Sequence, residues 1–297
     1  IIRYNELASV QWVIGTLADL NGDGKVTNDD VALANTANST TGMNPATLTG
    51  ADMDQNGIIN AADITVLQNI VAGKDDMTYI KRSIVGEMLL EQFKTVGRQY
   101  YESNRGVNFE WSSASITIAG YMKDDVKITL DYDSGAEGID DGFIIYVDGD
   151  KSKDNYTSLI SGVNTYTVAS GLSAGYHTVE ILKNNSSIED AFYMLSVDMT
   201  GKPEKVAPAA RKIEFLGDSI TAGCGVLPNA TDNGAHYQHY TYAAVASRAL
   251  GADFYAMANS GWGFANHLKY PYTLERIYEL ATDRRDPEFA HDFSTWQ

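Results

Sequence analysis

Two groups of residues in this 297-residue chain have the types and spacing to do chemistry. The first is a pair of twelve-residue runs, DLNGDGKVTNDD at 19–30 and DMDQNGIINAAD at 52–63. Each sets side-chain oxygens at positions 1, 3, 5 and 12, a backbone carbonyl at 7 and a glycine at 6. In the first run these are Asp19, Asn21, Asp23, the Lys25 carbonyl and Asp30, around Gly24. In the second they are Asp52, Asp54, Asn56, the Ile58 carbonyl and Asp63, around Gly57. Carboxylates crowded this way repel one another, and a hard cation such as Ca²⁺ takes an oxygen cage of this spacing. One such run would be an ordinary Asp-Gly turn, whereas two in register point to paired calcium loops.

The second group surrounds Ser219. The apolar run Ile213-Glu-Phe-Leu216 leads into Gly217-Asp-Ser219 and then Ile-Thr-Ala-Gly. A serine at a strand-to-helix turn is open to a base, and the helix start aims backbone N–H groups at developing negative charge. Ser219 therefore suits the nucleophile of an acyl transfer, with its own N–H as an oxyanion donor. Asn259-Ser-Gly-Trp-Gly263 ends a second expected strand and brings the Gly261 N–H to the same place. Trp262 is a candidate for stacking on a sugar ring in the cleft, or a packed core residue. The single cysteine, Cys224, excludes an internal disulfide and reads as a small hydrophobe rather than a reactive thiol.

The elements that position these residues fall into segments of different texture. Residues 1–76 are acidic and helical, with Ile64, Leu67, Ile70 and Val71 on one face and Gly73 as the stop. Residues 77–84 read as a connector. Over 85–200, short β-rich runs (115–119, 126–130, 143–147, 165–168 and 177–182) alternate with turn residues, as in an all-β sandwich or jelly roll. Residues 201–211 form a Pro/Ala/Lys linker. From 212 to 297, strand (212–216), helix (242–250) and strand (253–258) begin an α/β parallel sheet. That last domain is expected to be cut short at Gln297.

Thirty-nine acidic against 22 basic residues give a net charge of −17, which repels nucleic-acid phosphates and anionic lipids. Neither nucleic acid nor membrane is an expected partner. The acidic run 138–142 reads as a solvated turn. The five histidines (His177, His236, His239, His267 and His291) read as structural, surface or cleft residues rather than as a general base.

The paired loops, with Asp at position 12 in each, resemble a type I dockerin over about residues 15–75. The resemblance implies two structural Ca²⁺ ions and docking to a cohesin module of a scaffold protein. The implied cohesin contacts are loop positions 10 and 11: Asn28 and Asp29 in one repeat, Ala61 and Ala62 in the other. The repeats are unlike each other there.

The rest of the chain, about 85–297, resembles the carbohydrate esterases of family 2, a jelly roll joined to an SGNH/GDSL hydrolase domain of flavodoxin-like α/β fold. The matching runs are Trp111-Ser-Ser-Ala-Ser-Ile, Tyr146-Val-Asp-Gly149, 175–183 and 213–225. The resemblance implies a secreted enzyme, without a catalytic cofactor, that removes acetyl groups from xylan or related plant polysaccharide. It gives Ser219 the nucleophile's place, and the Ser219 and Gly261 N–H groups two oxyanion places. The family's Gly-x-Asn-Asp segment and late Asp-x-x-His do not occur here, so this chain alone is expected to be a weak or inactive esterase. Two rivals stand beside this reading. One is a non-catalytic, dockerin-anchored polysaccharide-binding module. The other is an SGNH hydrolase acting on a lipid or peptidoglycan ester.

Overall fold

The computed structural model describes residues 17–38, 50–103, 105–132, 142–152, 154–184, 192–226, 237–264, 273–280 and 291. His236, His267 and the acidic run 138–141 lie outside them.

The N-terminal unit holds helices α1 (Asn28–Ala37) and α2 (Ala61–Val71), each leaving one of the acidic loops. Both start with a reciprocal cap. Thr27 accepts from the Asp29 N–H, and Asn60 from the Ala62 N–H, while Asp30 and Asp63 reach back to the cap N–H. Val31 and Ala34 from α1 meet Ile64 and Leu67 from α2 in a small core with Met53 and Ile80. Ile70 and Val71 pack at its margin, and Gly73 ends α2 at φ +66°.

The middle of the chain is one curled antiparallel sheet. Its strands are β1 (Lys81–Val85), β2 (Lys94–Val96), β3 (Tyr101–Glu102), β4 (Gly106–Phe109), β5 (Ser115–Tyr132), β6 (Gly142–Val147), β7 (Asn155–Ser158), β8 (Gly162–Lys183) and β9 (Phe192–Pro203). A short helix, α3 (Met88–Gln92), follows β1. The order is β3-β4-β9-β5-β8-β6-β7, with β1 added on β9 and β2 on β5. Two differences from the sequence reading concern continuity. The runs 115–119 and 126–130 are one bent strand, and so are 165–168 and 177–182. The ladder passes through the polar residues of β5 by register shifts between Met122 and Lys127, with Asp124 at φ +64°. The other correction is extent. Residues 81–84 of the expected connector belong to the sheet, which continues through Pro203. Alternate residues of both halves of β5, from Ile116 to Leu130, enter one core with Val179, Phe192 and Val197.

Beyond the linker, β10 (Lys212–Gly217) and β11 (Asp253–Ala258) pair in parallel. Helices α4 (Ser219–Ala222), α5 (Tyr242–Leu250) and α6 (Leu274–Ile277) accompany them. This part is seated on the curled sheet. Trp111 packs with Tyr255, Met257, Trp262 and Leu274, and the Ala256 N–H donates to the Ser112 carbonyl.

Candidate active site and calcium loops

Ser219 is the first residue of α4, two positions past the carboxyl end of β10. Asp218 is extended (φ −102°) and caps the helix by accepting from the Ile220 N–H at 3.1 Å. The turn is tight because two glycines permit it. A Cβ on Gly217 would lie 2.1 Å from Thr221 Oγ1, so glycine lets the helix fold back on the strand. Gly223 ends the helix at φ +95°, where a Cβ would meet the Tyr237 carbonyl carbon at 2.6 Å. Thr221 Oγ1 is 2.9 Å from the Tyr242 hydroxyl on α5, which ties the nucleophile turn to the next helix.

The register Gly217↔Ala258 brings the carboxyl ends of the two parallel strands level. Gly261 follows β11 in a turn closed by the Trp262 N–H on the Asn259 carbonyl, and its φ of +79° calls for glycine. Ser219 and Gly261 thus sit at the same end of one strand pair, where open parallel sheets bind ligands. Trp262 differs from the cleft expectation. The residue is 4% exposed and its ring meets Trp111 edge-on at 6.0 Å, so it seals the seam with the curled sheet.

None of the described histidines hydrogen-bonds to Ser219. His177 on β8 bonds Asp148 and the Ser173 carbonyl. The Asp148 carboxylate raises its pKa. His239 is buried, with Nε2 2.8 Å from the Tyr146 hydroxyl and the Arg248 guanidinium beside its ring. Burial and the Arg248 charge push it down to about 4, against the attraction of Asp154. Tyr240, in a short 3₁₀ turn, also donates to Asp154, at 2.7 Å. His291 shares a pocket with Asp253 and Lys94, and its backbone N–H donates to the Glu279 carbonyl at 2.9 Å.

Sequence reasoning missed the residues that lock this part to the sheet. Arg98 is fully buried and donates to Glu214 on β10 (2.7 Å), to the Tyr255 hydroxyl on β11 (2.8 Å) and to the Leu280 carbonyl (2.7 Å). Lys94 pairs with Asp253 at 2.6 Å. These partners are 116 to 182 positions apart, beyond any local pattern.

The acidic loops fold as their spacing requires. Gly24 and Gly57 turn at φ +81° and +84°. Asp19 accepts from the Gly22 and Gly24 N–H groups, and Asp52 from Asn56 and Gly57. Carboxylate oxygens of Asp52, Asp54 and Asp63 lie within 4.8 Å of one another. Burial, with the Asp63 and Asp54 charges, pushes Asp52 up to about 6 against the pull of the Gly57 N–H. An all-oxygen donor set under mutual repulsion fits a hard divalent cation. Position 9, unassigned from sequence, is Thr27 and Asn60; the cap pattern Thr/Asn-x-x-Asp was the signal for them. Asn28, Asp29, Ala61 and Ala62 are all exposed at the helix starts.

Comparison with known proteins follows this division. Residues 16–72 match the Dockerin type I domain family. A cellulase/esterase, CelE, of Acetivibrio thermocellus is 27% identical over 195 residues, 60% of this chain and 23% of that protein. A family two carbohydrate esterase from Clostridium thermocellum, solved with cellohexaose, superposes with a TM-score of 0.58. It is 23% identical, over 69% of this chain and 62% of that one. An acetyl xylan esterase from the rumen bacterium Butyrivibrio proteoclasticus gives 0.60 at 16% identity, over 73% and 62%. The chain spans about a quarter of the curated relative's length and under two thirds of each structure's. The chain therefore joins a match to the calcium-binding type I dockerin domain to the fold of the family two carbohydrate esterases.

Proposed function

We propose that this chain is part of an extracellular, cellulosome-type esterase. Ser219 removes O-acetyl groups from xylan or a related polysaccharide, and the dockerin unit docks to a cohesin. The observation that carries the reading is Ser219 at the carboxyl end of β10, level with the Gly261 turn after β11. In this reading Ser219 Oγ attacks the acetyl carbonyl carbon. The oxyanion accepts from the Ser219 and Gly261 N–H groups, and the sugar hydroxyl leaves with a proton. Water then attacks the acetyl-serine, releasing acetate and restoring Oγ–H. The base comes from outside the described residues, because none of their imidazoles reaches Oγ. Two Ca²⁺ ions are assigned to the loops, held by Asp19, Asn21, Asp23, Lys25 and Asp30, and by Asp52, Asp54, Asn56, Ile58 and Asp63. Their role is structural. Asn28, Asp29, Ala61 and Ala62 are proposed to face the cohesin.

That none of the described side chains hydrogen-bonds the Ser219 hydroxyl also favours a second reading, a dockerin-anchored module that retains polysaccharide without cleaving it. Acetate release from acetylated xylan separates the two. Under the first reading Ser219→Ala lowers release by about 10³-fold or more. Release unaltered by that substitution overturns it. No release from either form of the protein as its native source makes it, with polysaccharide retention intact, selects the second.

A further inference from the structure

The curled sheet carries an exposed aromatic pair that the proposed reaction does not use. Tyr121 on β5 and Tyr176 on β8 are directly opposed across the ladder, 44% and 48% exposed. Their rings meet edge-to-face at 5.6 Å, which leaves ring surface open to solvent. On the other side of Tyr121 the paired residue is Lys202 of β9. Lys202 is also a wall of a pocket of about 480 Å³ between the dockerin unit, the sheet and the linker.

That pocket is chemically unlike the chain around it. Three of its nine described lining residues are cations, Arg82, Lys202 and Lys205, and none is acidic, although the chain carries −17 overall. Gln55 and Gln92 also line it. The Gln55 and Gln92 Oε1 atoms and Arg82 Nε are buried without hydrogen-bond partners. Arg82 is 4% and Gln55 9% exposed; the rest of the Arg82 guanidinium donates to the Ile80, Gly201 and Met77 carbonyls, so the glutamine oxygens are the desolvated, uncompensated groups, as recognition groups are before a ligand arrives. The neighbouring pocket shares Arg82 but mixes both signs, with Asp54, Asp124, Asp125 and Asp198 beside Lys81 and Lys127.

We propose that Tyr176, Tyr121 and Lys202 lead into this pocket as a binding site for a carboxylate-bearing oligosaccharide. The tyrosines stack on pyranose faces. Lys202, Lys205 and Arg82 attract the carboxylate, and the glutamine amides take hydroxyls. An acidic peptide would satisfy the cations but leave the tyrosine shelf without a role, so the glycan is the better fit. The site is built from residues other than Ser219 and Gly261 and stands whether or not the esterase reading does.

Affinity electrophoresis of the intact chain in calcium, with polygalacturonate in the gel, tests this. The expected result is retardation that weakens with salt, is relieved by soluble oligogalacturonate, and is much less affected by cellohexaose or oligoglutamate. Lys202→Glu with Lys205→Glu should weaken binding at least about tenfold, by replacing attraction with repulsion. Tyr121→Ala with Tyr176→Ala should weaken it by about the same factor. All four side chains are exposed, and an unchanged melting temperature verifies folding. Ser219→Ala should leave retardation as it is while abolishing acetate release, so the two readings fail separately. The proposal is overturned if the wild-type chain is not retarded or if either double variant is retarded equally. Equal competition by oligoglutamate also overturns it and marks the surface as one for acidic peptides.

Discussion

At the scale of single residues, the nucleophile turn depends on atoms that are missing. Gly217 has no Cβ, and Thr221 occupies the space where one would be. Gly217→Ala should therefore force the helix start away from the strand, costing about 1–3 kcal/mol of stability. Denaturant melts would register this cost, and acetate release should fall with it because Ser219 rides on the same turn. Arg98 is the opposite case, a residue present at great cost. Its guanidinium is desolvated, and Glu214 and Tyr255 compensate it. Arg98→Met leaves Glu214 nearly buried without its cation, so a loss of about 3–5 kcal/mol is expected. Adding Glu214→Gln should recover part of that loss, a sign of coupling that a double-mutant cycle measures.

At the scale of elements, each acidic loop is continuous with the helix it starts. Asp30 and Asp63 accept N–H groups at loop positions 2 and 3 and at the helix cap. Loop and helix therefore form or melt together. The core between α1 and α2 is made largely of alanine and short aliphatic side chains, too small to hold the unit firmly alone. In calorimetry, chelation by EGTA should remove a low-temperature transition and leave the transition of the curled sheet. Restored calcium should bring it back. Asp52→Ala should shift the calcium midpoint upward, since it deletes the first ligand of the second loop.

At the scale of the whole molecule, the sheet and the α/β part meet across a seam whose charge depends on pH. His239 sits there with Tyr146, Asp154, Tyr240, Arg248 and Lys151 around it. Its pKa is about 4 folded, against about 6.5 when solvated. Between those values the unfolded chain takes up a proton that the folded chain refuses. Stability from this group is therefore full above pH 6.5 and falls as pH drops toward 4, by at most about 3 kcal/mol. His177 works the other way. Asp148 raises its pKa, so its contribution is full below pH 6.5 and fades as pH climbs through the raised value. Because Asp148 is half exposed, solvent screens that pair and the buried His239 should dominate. With the acidic loops saturated by calcium, the melting temperature of the sheet should drop from pH 7 to pH 5, and His239→Gln should flatten that slope.

The sequence by itself determined the local features. Ligand spacing and a glycine at position 6 specify each loop, since both operate within twelve residues. Gly-Asp-Ser after an apolar run specifies the nucleophile turn for the same reason, and α5 and β11 fall where periodicity puts them. The long bent strands were not legible, because a bulge at Asp124 has the composition of a turn. Neither was the burial of Trp262, which is decided by Trp111, 151 positions away in the chain. Tertiary structure alone brought Arg98 to Glu214, placed Lys202 beside Tyr121, and occupied the His239 ring with Tyr146 and Arg248. Such contacts join elements whose separation in sequence carries no period, so only the packing of the sheet against its neighbours fixes them.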